Sequence, residues 1–551
     1  MTNLLTAARE TIGSFAAGCL AANGVDTVFG IPGTHNIEIY RGLRASGIRH
    51  VLTRHEQGAS YAADGYARAS GRPGVVIATS GPGVTNCITG IANAYADGVP
   101  LLVLSPGAPR GQERRNLGFL HEAKDQRAGV DRFAAESVRA ESQEALEEAI
   151  HRAFLGFRTG RPRPVHIEIP TDLIEEPSAG PPGAAWTAPP LSPDPAAIAG
   201  VVAAMREAKR PLIVVGGGAV AHGAVLTALV DATGIPIVTT VQGKGAVSER
   251  HPLSAGALAG GSAAFPPIGR ADLILAFGTE LKNAGTRPGA RVARFDIDPG
   301  QLHKHRRADL PVLGDAGLAA DALLGAVRRA PHPGDGDAWV REVLGDAADV
   351  RAEAVERWGA LHAAVMRAAR EEGAGEEKPA VLTGDSSQIS WQGTVRAAML
   401  DEPRGFLTTD GYATLGYGLP AAIGARIARP EANVVALLGD GALMFSVQEL
   451  ITAAEQRLPI PVVVFDNGGY AEIEQNMRDA GVDPFAVALT PPDYAALAAG
   501  LRCGFGEART PEELERAVAA ALEAEGPTLI RIGDEVFEAP VWRAPYAAPA
   551  A

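Results

Sequence analysis

Cysteine is nearly absent from this chain: three in 551 residues, Cys19, Cys87 and Cys503, far apart and without a CxxC pair. That excludes a disulfide framework and a cysteine zinc site. Aromatics make up 5% of the residues, and no apolar run is long enough to suggest a membrane-spanning helix. Positive charge is in deficit as well. Lys and Arg number 50 against 64 Asp and Glu, a formal charge of −14, so no basic face is evident to neutralise a nucleic-acid backbone or an anionic membrane. The N-terminus has no basic-then-apolar signal pattern. The expectation is a soluble cytoplasmic protein with neither nucleic-acid nor membrane partners.

What is present describes a compact α/β protein: 46% apolar residues and 65 glycines, in a chain too long for one core and suited to three domains. Residues 1–175 alternate helical patterns with apolar runs at 27–30, 50–53, 74–79, 101–105 and 165–169, which predicts a mostly parallel sheet with helices on both faces. The Pro/Ala/Gly-rich stretch 176–197 reads as a surface linker. A second α/β domain spans 198–330, with strands expected at 211–215, 237–240, 273–277 and 292–297. Its Gly216-Gly217-Gly218-Ala219 turn is not GxGxxG, so a dinucleotide site there is the lesser reading. After a break at 330–338, the charged helical stretch 339–372 is expected to connect domains over the surface. The third domain occupies 378–551, and its last residues, AAPA, are expected to lack structure.

The most informative stretch is 433–470. Val434-Val435-Ala436-Leu437-Leu438 has the length and composition of a buried strand, and it runs into Gly439-Asp440-Gly441. Glycines there permit tight φ/ψ and leave the backbone open to a ligand. A helical pattern follows (Met444, Phe445, Val447, Leu450, Ile451, Ala454). A second apolar run, 460–465, ends in Asp466-Asn467-Gly468-Gly469-Tyr470. One β-α-β unit thus sets Asp440 and Asn467 at the carboxyl ends of two strands, where α/β sheets take their ligands. A carboxylate beside an amide oxygen suits a hard cation such as Mg²⁺ carrying a diphosphate. The pattern resembles the signature of thiamine diphosphate enzymes. The resemblance implies an α/β fold of three doubly wound parallel-sheet domains (pyrimidine-binding, middle and diphosphate-binding). It also implies Mg²⁺ held by Asp440, Asn467 and the Gly469 carbonyl, with Gly439 and Tyr470 beside the cofactor. Some relatives hold FAD in the middle domain; no convincing flavin site is legible here, so FAD stays open without being favoured.

The first domain carries an independent signal. Arg54-His55-Glu56-Gln57-Gly58-Ala59 ends one expected strand, and Thr79-Ser80-Gly81-Pro82-Gly83-Val84-Thr85-Asn86 follows another. A lone Glu is most often a solvated or ion-paired surface residue, but the long run of neighbours in family order makes Glu56 the glutamate that the resemblance casts as essential. It would hydrogen-bond the cofactor's pyrimidine nitrogen and favour the imino tautomer, so that the cofactor's exocyclic nitrogen takes the thiazolium C2 proton. A carboxyl sharing a proton with a ring nitrogen needs a dry pocket. By the same resemblance Pro32 and Asn86 lie by the cofactor. Leu415 would prop its V shape, and the Ala413 carbonyl would accept from its exocyclic amine, although many relatives have Gly at that position. Ser386, Ser387 and Gln388, with the N–H groups of Gly441 and Ala442, would meet the diphosphate. Helix capping by Asp385 or Ser386 and plain core packing of Leu415 stand as competing readings. In the family the Glu and the Mg²⁺ site come from different subunits, so a homodimer or homotetramer is implied.

The stretches FGIPGTHNIEIYRGL, LHEAKDQRA and GYAEI look most like the branch that decarboxylates 2-ketoarginine (5-guanidino-2-oxopentanoate), close to the catalytic subunit of acetohydroxyacid synthase. A guanidinium wants a carboxylate placed for bidentate contact, and Glu472, Glu122 and Asp125 are the candidates in that order. His35, His121 or His55 could deliver the proton that releases an aldehyde. The expected activity is Mg²⁺-dependent decarboxylation of a small 2-oxo acid, 2-ketoarginine giving 4-guanidinobutanal. The alternatives are an acetolactate synthase-like carboligase and, from another class, a catalytically silent homologue. The joint presence of Glu56, Asp440 and Asn467 argues against the last.

Overall fold

The structure, a computed structural model, describes residues 10–259, 265–282, 285–329, 336–370 and 377–536. The expected break at 330–338 lies mostly outside these residues, and the AAPA end lies entirely outside them. Three parallel sheets organise the chain. The first contains β1 (Thr27–Gly30), β2 (Arg49–Leu52), β3 (Gly74–Ile77), β4 (Leu101–Gly107), β5 (Glu136–Arg139) and β6 (Val165–Pro170), in the order β2-β1-β3-β4-β6-β5. The second contains β7 (Pro211–Val215), β8 (Ile237–Thr239), β9 (Leu273–Phe277), β10 (Arg291–Asp296) and β11 (Leu310–Leu313), in the order β11-β10-β9-β7-β8. The third contains β12 (Ala380–Gly384), β13 (Phe406–Leu407), β14 (Asn433–Gly439), β15 (Pro461–Phe465), β16 (Gly504–Ala508) and β17 (Thr528–Ile532), in the order β13-β12-β14-β15-β17-β16. Counted from its own first strand, the third sheet repeats the order of the first. Each sheet reverses direction between its first and third strands, the switch point at which doubly wound sheets accept ligands.

The strands explain themselves locally. β9 (LILAF) and β15 (PVVVF) are buried along their whole length, as strands covered by helices on both faces must be. β5 (ESVR) and β11 (LPVL) escaped the sequence reading because edge strands, half-exposed, need no continuous apolar run. Two expectations are corrected. The charged stretch expected to run over the surface is a 35-residue helix, Gly336–Arg370, with a core-forming stripe. Trp339 and Val343 enter the apolar cluster of the second sheet, and Trp358, Leu361 and Val365 that of the third. Charge on its outer face masked the stripe. The helical pattern expected after Asp440 is also broken. Helix Asp440–Leu443 stops after one turn, where Phe445 N–H bonds back to Ala442 O, and a new helix spans Glu449–Glu455. Met444 and Phe445 are consequently about half exposed instead of forming core.

The chain forms two compact units. One comprises Met1–Pro189, Gly411–Arg429 and Ser446–Gln456 and holds the first sheet; the other comprises Pro190–Asp410, Pro430–Phe445 and Arg457–Ala551 and holds the second and third. At the switch point of the second sheet the turns after β7 and β9 pack on each other: a Cβ on Gly216 would lie 2.4 Å from the Gly278 carbonyl oxygen. Gly218 faces Gly278 as well, so that contact accounts for two of the three glycines at 216–218. No helix among the described residues is long and apolar enough to cross a membrane.

His166 in β6 is fully buried between Ser105 Oγ (2.8 Å) and Ser137 Oγ (2.7 Å), and burial, then Arg127, pushes its pKa down to about 3. The folded chain therefore keeps this ring neutral while the unfolded chain protonates it. Its stability contribution is complete above pH ~6.5 and is lost as pH falls toward 3. The expected loss is about 2 kcal/mol at pH 5, read as a fall in unfolding midpoint between pH 7 and 5 that is smaller in His166→Gln.

Candidate active site

At the switch point of the third sheet, β12 leads into Asp385-Ser386-Ser387 and β14 into Asp440. Pairing of Gly439 in β14 with Phe465 in β15 brings Asp440 beside Asp466-Asn467. Asp440 is 5% exposed; Oδ1 accepts from the Gly441 N–H at 2.8 Å, and Oδ2 is buried without a hydrogen-bond partner. Burial pushes this carboxyl up to about 6; the N–H groups of Gly441, Gly468 and Gly469 oppose the shift and Asp466 adds to it. Arg531 pairs with Asp466 at 2.8 Å and not with Asp440. The Asn467 amide closes the set: one terminal atom lies 3.3 Å from Asp440 Oδ1 and 2.9 Å from the Gly469 carbonyl oxygen. In the protein alone that atom is the nitrogen, donating to both. The Asp440 carboxylate, the Asn467 amide oxygen after a turn of the amide, and the Gly469 carbonyl are the groups that would hold a hard cation such as Mg²⁺ here.

The donor set is therefore one carboxylate, one amide and one carbonyl. No group of three or more His, Cys, Asp or Glu able to hold a metal occurs among the described residues. Ser387 Oγ donates to Asp385 and accepts from Gly439 N–H at 3.0 Å, tying the β12 loop to the end of β14. Asp385 also accepts from the Ser387 N–H at 3.2 Å within the loop, and Ser386 Oγ is buried without a partner; the helix that follows starts after Gln388 with no side-chain cap, so neither Asp385 nor Ser386 caps it. Gly441 is helical and does not use the conformational freedom that a glycine permits. It needs room: a Cβ there would lie 2.7 Å from the Tyr470 ring. Glu472, at the start of helix Ala471–Asp479, accepts from Gln388 at 3.5 Å and Gln392 at 3.3 Å.

In the other unit, helix Glu56–Ser70 follows β2 with Glu56 as its first residue. Glu56 is 8% exposed, and its Oε2 accepts from Asn86 Nδ2 at 3.0 Å. His55 caps this helix, Nδ1 accepting from Gln57 N–H at 3.1 Å, and so serves the backbone. The same helix holds the segment that begins at Gly411. Tyr61 OH lies 2.7 Å from Thr414 Oγ1, and Tyr417 OH donates to Asp64 at 2.6 Å. Arg68 links Asp64 to Asp97, which accepts from Gly411 N–H at 2.7 Å. Within this segment Ala413 sits at φ 53°, a left-handed conformation that costs an alanine about 1 kcal/mol and that a glycine adopts freely. Leu415 is half-buried and leaves apolar surface accessible.

A cavity of about 260 Å³ opens at the switch point of the first sheet, lined by His35, Ser80, His121, Gln126 and Glu168 among others. His35 Nδ1 lies 2.7 Å from Ser80 Oγ, itself 3.4 Å from His121 Nδ1. Burial, then His121, holds His35 below its ordinary pKa. Pro32 is exposed in the turn after β1, which Asn36 braces by accepting from Gly33 N–H at 2.7 Å. The acidic groups of this cavity are already engaged: Glu113 and Glu168 with Arg139, Asp125 with Arg114. Glu122 accepts from the Leu117 and Gly118 N–H groups. Of the three carboxylates considered for a guanidinium, Glu472 alone is held by neither an arginine nor a backbone N–H among the described residues.

Family models match three stretches of the chain: the thiamine pyrophosphate enzyme N-terminal TPP binding domain over residues 10–128, the central domain over 198–323 and the C-terminal TPP binding domain over 384–532. A probable 2-ketoarginine decarboxylase of Pseudomonas aeruginosa is 40% identical over 530 residues, covering 95% of this chain and 94% of the relative. The chain belongs to the thiamine pyrophosphate enzyme family. Acetolactate synthase large subunits are similar as well: that of Parasynechococcus marenigrum is 34% identical over 95% of this chain and 88% of its own, and isozyme 2 of Escherichia coli 32% over 94% of each. A thiamine pyrophosphate enzyme with these relatives is a 2-oxo acid decarboxylase or carboligase.

In this thiamine pyrophosphate enzyme the structure brings together Asp440, Asn467, Gly469, Ser387, Gly439, Gly441 and Tyr470 in one unit, and Glu56 with Asn86 in the other. His35 and His121 share a cavity that His55 does not line. Sequence reasoning missed Ser80 as the bridge between the two histidines and Gln392 as a neighbour of Glu472. Ser80 lies within the 79–86 stretch, but its two histidine neighbours, like the approach of Gln392 to Glu472, arise through tertiary proximity. Asp440→Ala is expected to weaken Mg²⁺-dependent binding of thiamine diphosphate at least ~100-fold in calorimetry; unchanged affinity refutes the metal assignment. Glu56→Gln is expected to keep the cofactor and lose ~100-fold or more in kcat, and near-normal turnover removes Glu56 from its role.

Proposed function

We propose that this enzyme decarboxylates a 2-oxo acid with a cationic tail, 2-ketoarginine, to 4-guanidinobutanal and CO2, using thiamine diphosphate and Mg²⁺. The observation that carries the substrate is Glu472, the one candidate carboxylate held by neither an arginine nor a backbone N–H among the described residues; it accepts from the side-chain amides of Gln388 and Gln392. The 40% identity to a probable 2-ketoarginine decarboxylase supports it. Asp440, Asn467 and the Gly469 carbonyl hold Mg²⁺. Ser386, Ser387, Gln388 and the Gly441 and Ala442 N–H groups receive the diphosphate, with Gly439 and Tyr470 walling the site. Bound thiamine diphosphate supplies the electron sink for the carbon that loses CO2.

This chain's residues orient and move protons around that sink. Glu56, steadied by Asn86 at Oε2, holds a proton at the pyrimidine nitrogen through Oε1. Leu415 and the Ala413 carbonyl fix the cofactor's bend, and Pro32 borders the pyrimidine. His121 and His35, joined through Ser80 Oγ, deliver the proton that completes the aldehyde at the carbon that held the carboxyl group. Glu472 receives the guanidinium in a charge-assisted pair. FAD has no part in the reading. The enzyme works as a cytoplasmic homodimer or homotetramer; its buried free thiols, Cys19 and Cys87, are in keeping with a reducing compartment.

The second reading, an acetolactate synthase-like carboligase, draws on the 32–34% identity to acetolactate synthases over most of the chain. One assay separates the two: CO2 release and product mass over pyruvate, benzoylformate, branched-chain 2-oxo acids and 2-ketoarginine. Selective conversion of 2-ketoarginine to the guanidino aldehyde is expected, with Glu472→Gln raising KM ~10- to 100-fold for this substrate and far less for pyruvate. Acetolactate from pyruvate as the dominant product would favour the carboligase.

A further inference from the structure

Glu449 has no place in the chemistry described so far, yet it is one of the most completely enclosed carboxylates in the molecule, with 0% of its surface exposed. It opens helix Glu449–Glu455, in the same compact unit as Glu56. Its partners are specific. Oε1 accepts from Arg54 N–H at 3.1 Å and from His55 N–H at 3.0 Å; Oε2 accepts from Arg54 N–H at 3.2 Å and from Thr452 Oγ1 at 2.7 Å. Arg54 and His55 are the two residues immediately before Glu56, at the N-terminal end of helix Glu56–Ser70, where the helix dipole favours a negative group. Room for the carboxylate is made by Gly58: a Cβ there would lie 2.3 Å from Glu449 Oε1. The same short helix ends with Glu455 in an ion pair to the Arg54 side chain, so backbone and side chain of one residue are both held from this element.

A surface ion pair would not need such construction. Three backbone-directed hydrogen bonds, a hydroxyl clamp and a cut-out glycine spend a buried carboxylate on fixing two peptide groups, a costly arrangement unless their position matters. On the far side of Glu56 the backbone is fixed by helix Glu56–Ser70 itself. The near side, between β2 and the helix, is loop, and Glu449 supplies the hold that the loop lacks. The geometry points to Glu449 as the positioning residue for Glu56: it fixes the Arg54 and His55 peptides so that the Glu56 carboxyl emerges at a set angle toward Asn86 and the ligand. The inference rests on the assignment of Glu56 to the cofactor's pyrimidine.

Two variants separate reach from charge. Glu449→Gln keeps an oxygen at the same distance and removes the charge; Glu449→Asp keeps the charge and withdraws the oxygens by one methylene. Two quantities are read: amide hydrogen exchange over residues 53–58 in the cofactor-free protein, and exchange of the thiazolium C2 proton of bound thiamine diphosphate by quenched NMR. Glu449→Asp is expected to speed the amide exchange and slow C2 exchange, each at least ~10-fold, while Glu449→Gln stays within ~3-fold of wild type in both. The reverse order, or wild-type amide exchange in Glu449→Asp, overturns the proposal. If Glu449→Asp does not fold, Thr452→Val, which removes the hydroxyl clamp on Oε2 and leaves its bond from Arg54 N–H, takes its place; faster amide exchange supports the anchor and unchanged exchange overturns it. Glu56→Gln serves as the control. Wild-type C2 exchange in that variant would mean that the Glu56 assignment had failed, and the amide exchange of the cofactor-free protein then decides the anchor by itself.

Discussion

A carboxyl group buried at the end of a parallel strand, without an ion-pair partner among the described residues, sets the terms for the third sheet. Asp440 is desolvated enough to carry a raised pKa, and one of its oxygens has nothing to bond. Burial of that kind is costly unless a cation completes the group. The register of β14 against β15 brings the Asn467 amide to 3.3 Å from Asp440 Oδ1 and 2.9 Å from the Gly469 carbonyl oxygen, and Ser387 fastens the neighbouring β12 loop to Gly439. Gly441 gives up its side chain so that Tyr470 can lie over the turn. Each of these features is an accommodation to one acidic oxygen.

The same doubly wound topology is used three times with different outcomes at its switch point. In the third sheet the point holds the buried carboxyl of Asp440. In the first it is a cavity with two histidines and a serine between them. In the second it is closed by two glycine-bearing turns in contact. Topology therefore offers the opportunity and side chains decide its use, which is why fold alone carries no functional argument. Helix Glu56–Ser70 is the second organiser: its first residue is Glu56, and its Tyr61, Asp64 and Arg68 hold the segment containing the strained Ala413 and the half-buried Leu415.

The sheets were legible because parallel strands buried on both faces are written as short uninterrupted apolar runs, and Gly439-Asp440-Gly441 with Asn467 was legible because its spacing follows from one β-α-β unit. Edge strands β5 and β11 were not, since half-exposed strands carry no such run. The helix 336–370 was misread because its charge is visible in sequence while its stripe, with Trp358 fully buried, acquires meaning from what it packs against. Likewise Glu122 and Asp125 looked like free carboxylates until the folded chain gave them backbone and arginine partners.

By itself, then, the order of residues determined local periodicity, the buried strands and the spacing of Asp440 and Asn467 at their ends, because those depend on neighbours within one supersecondary unit. Tertiary structure alone decided that Glu472 meets two glutamine amides and no arginine among the described residues, that Ser80 joins His35 to His121, and that Glu449 reaches back across 395 positions to the Arg54 peptide. Such pairings form only when distant segments are packed, and burial, which fixes both their pKa values and their hydrogen bonds, exists only in the folded chain.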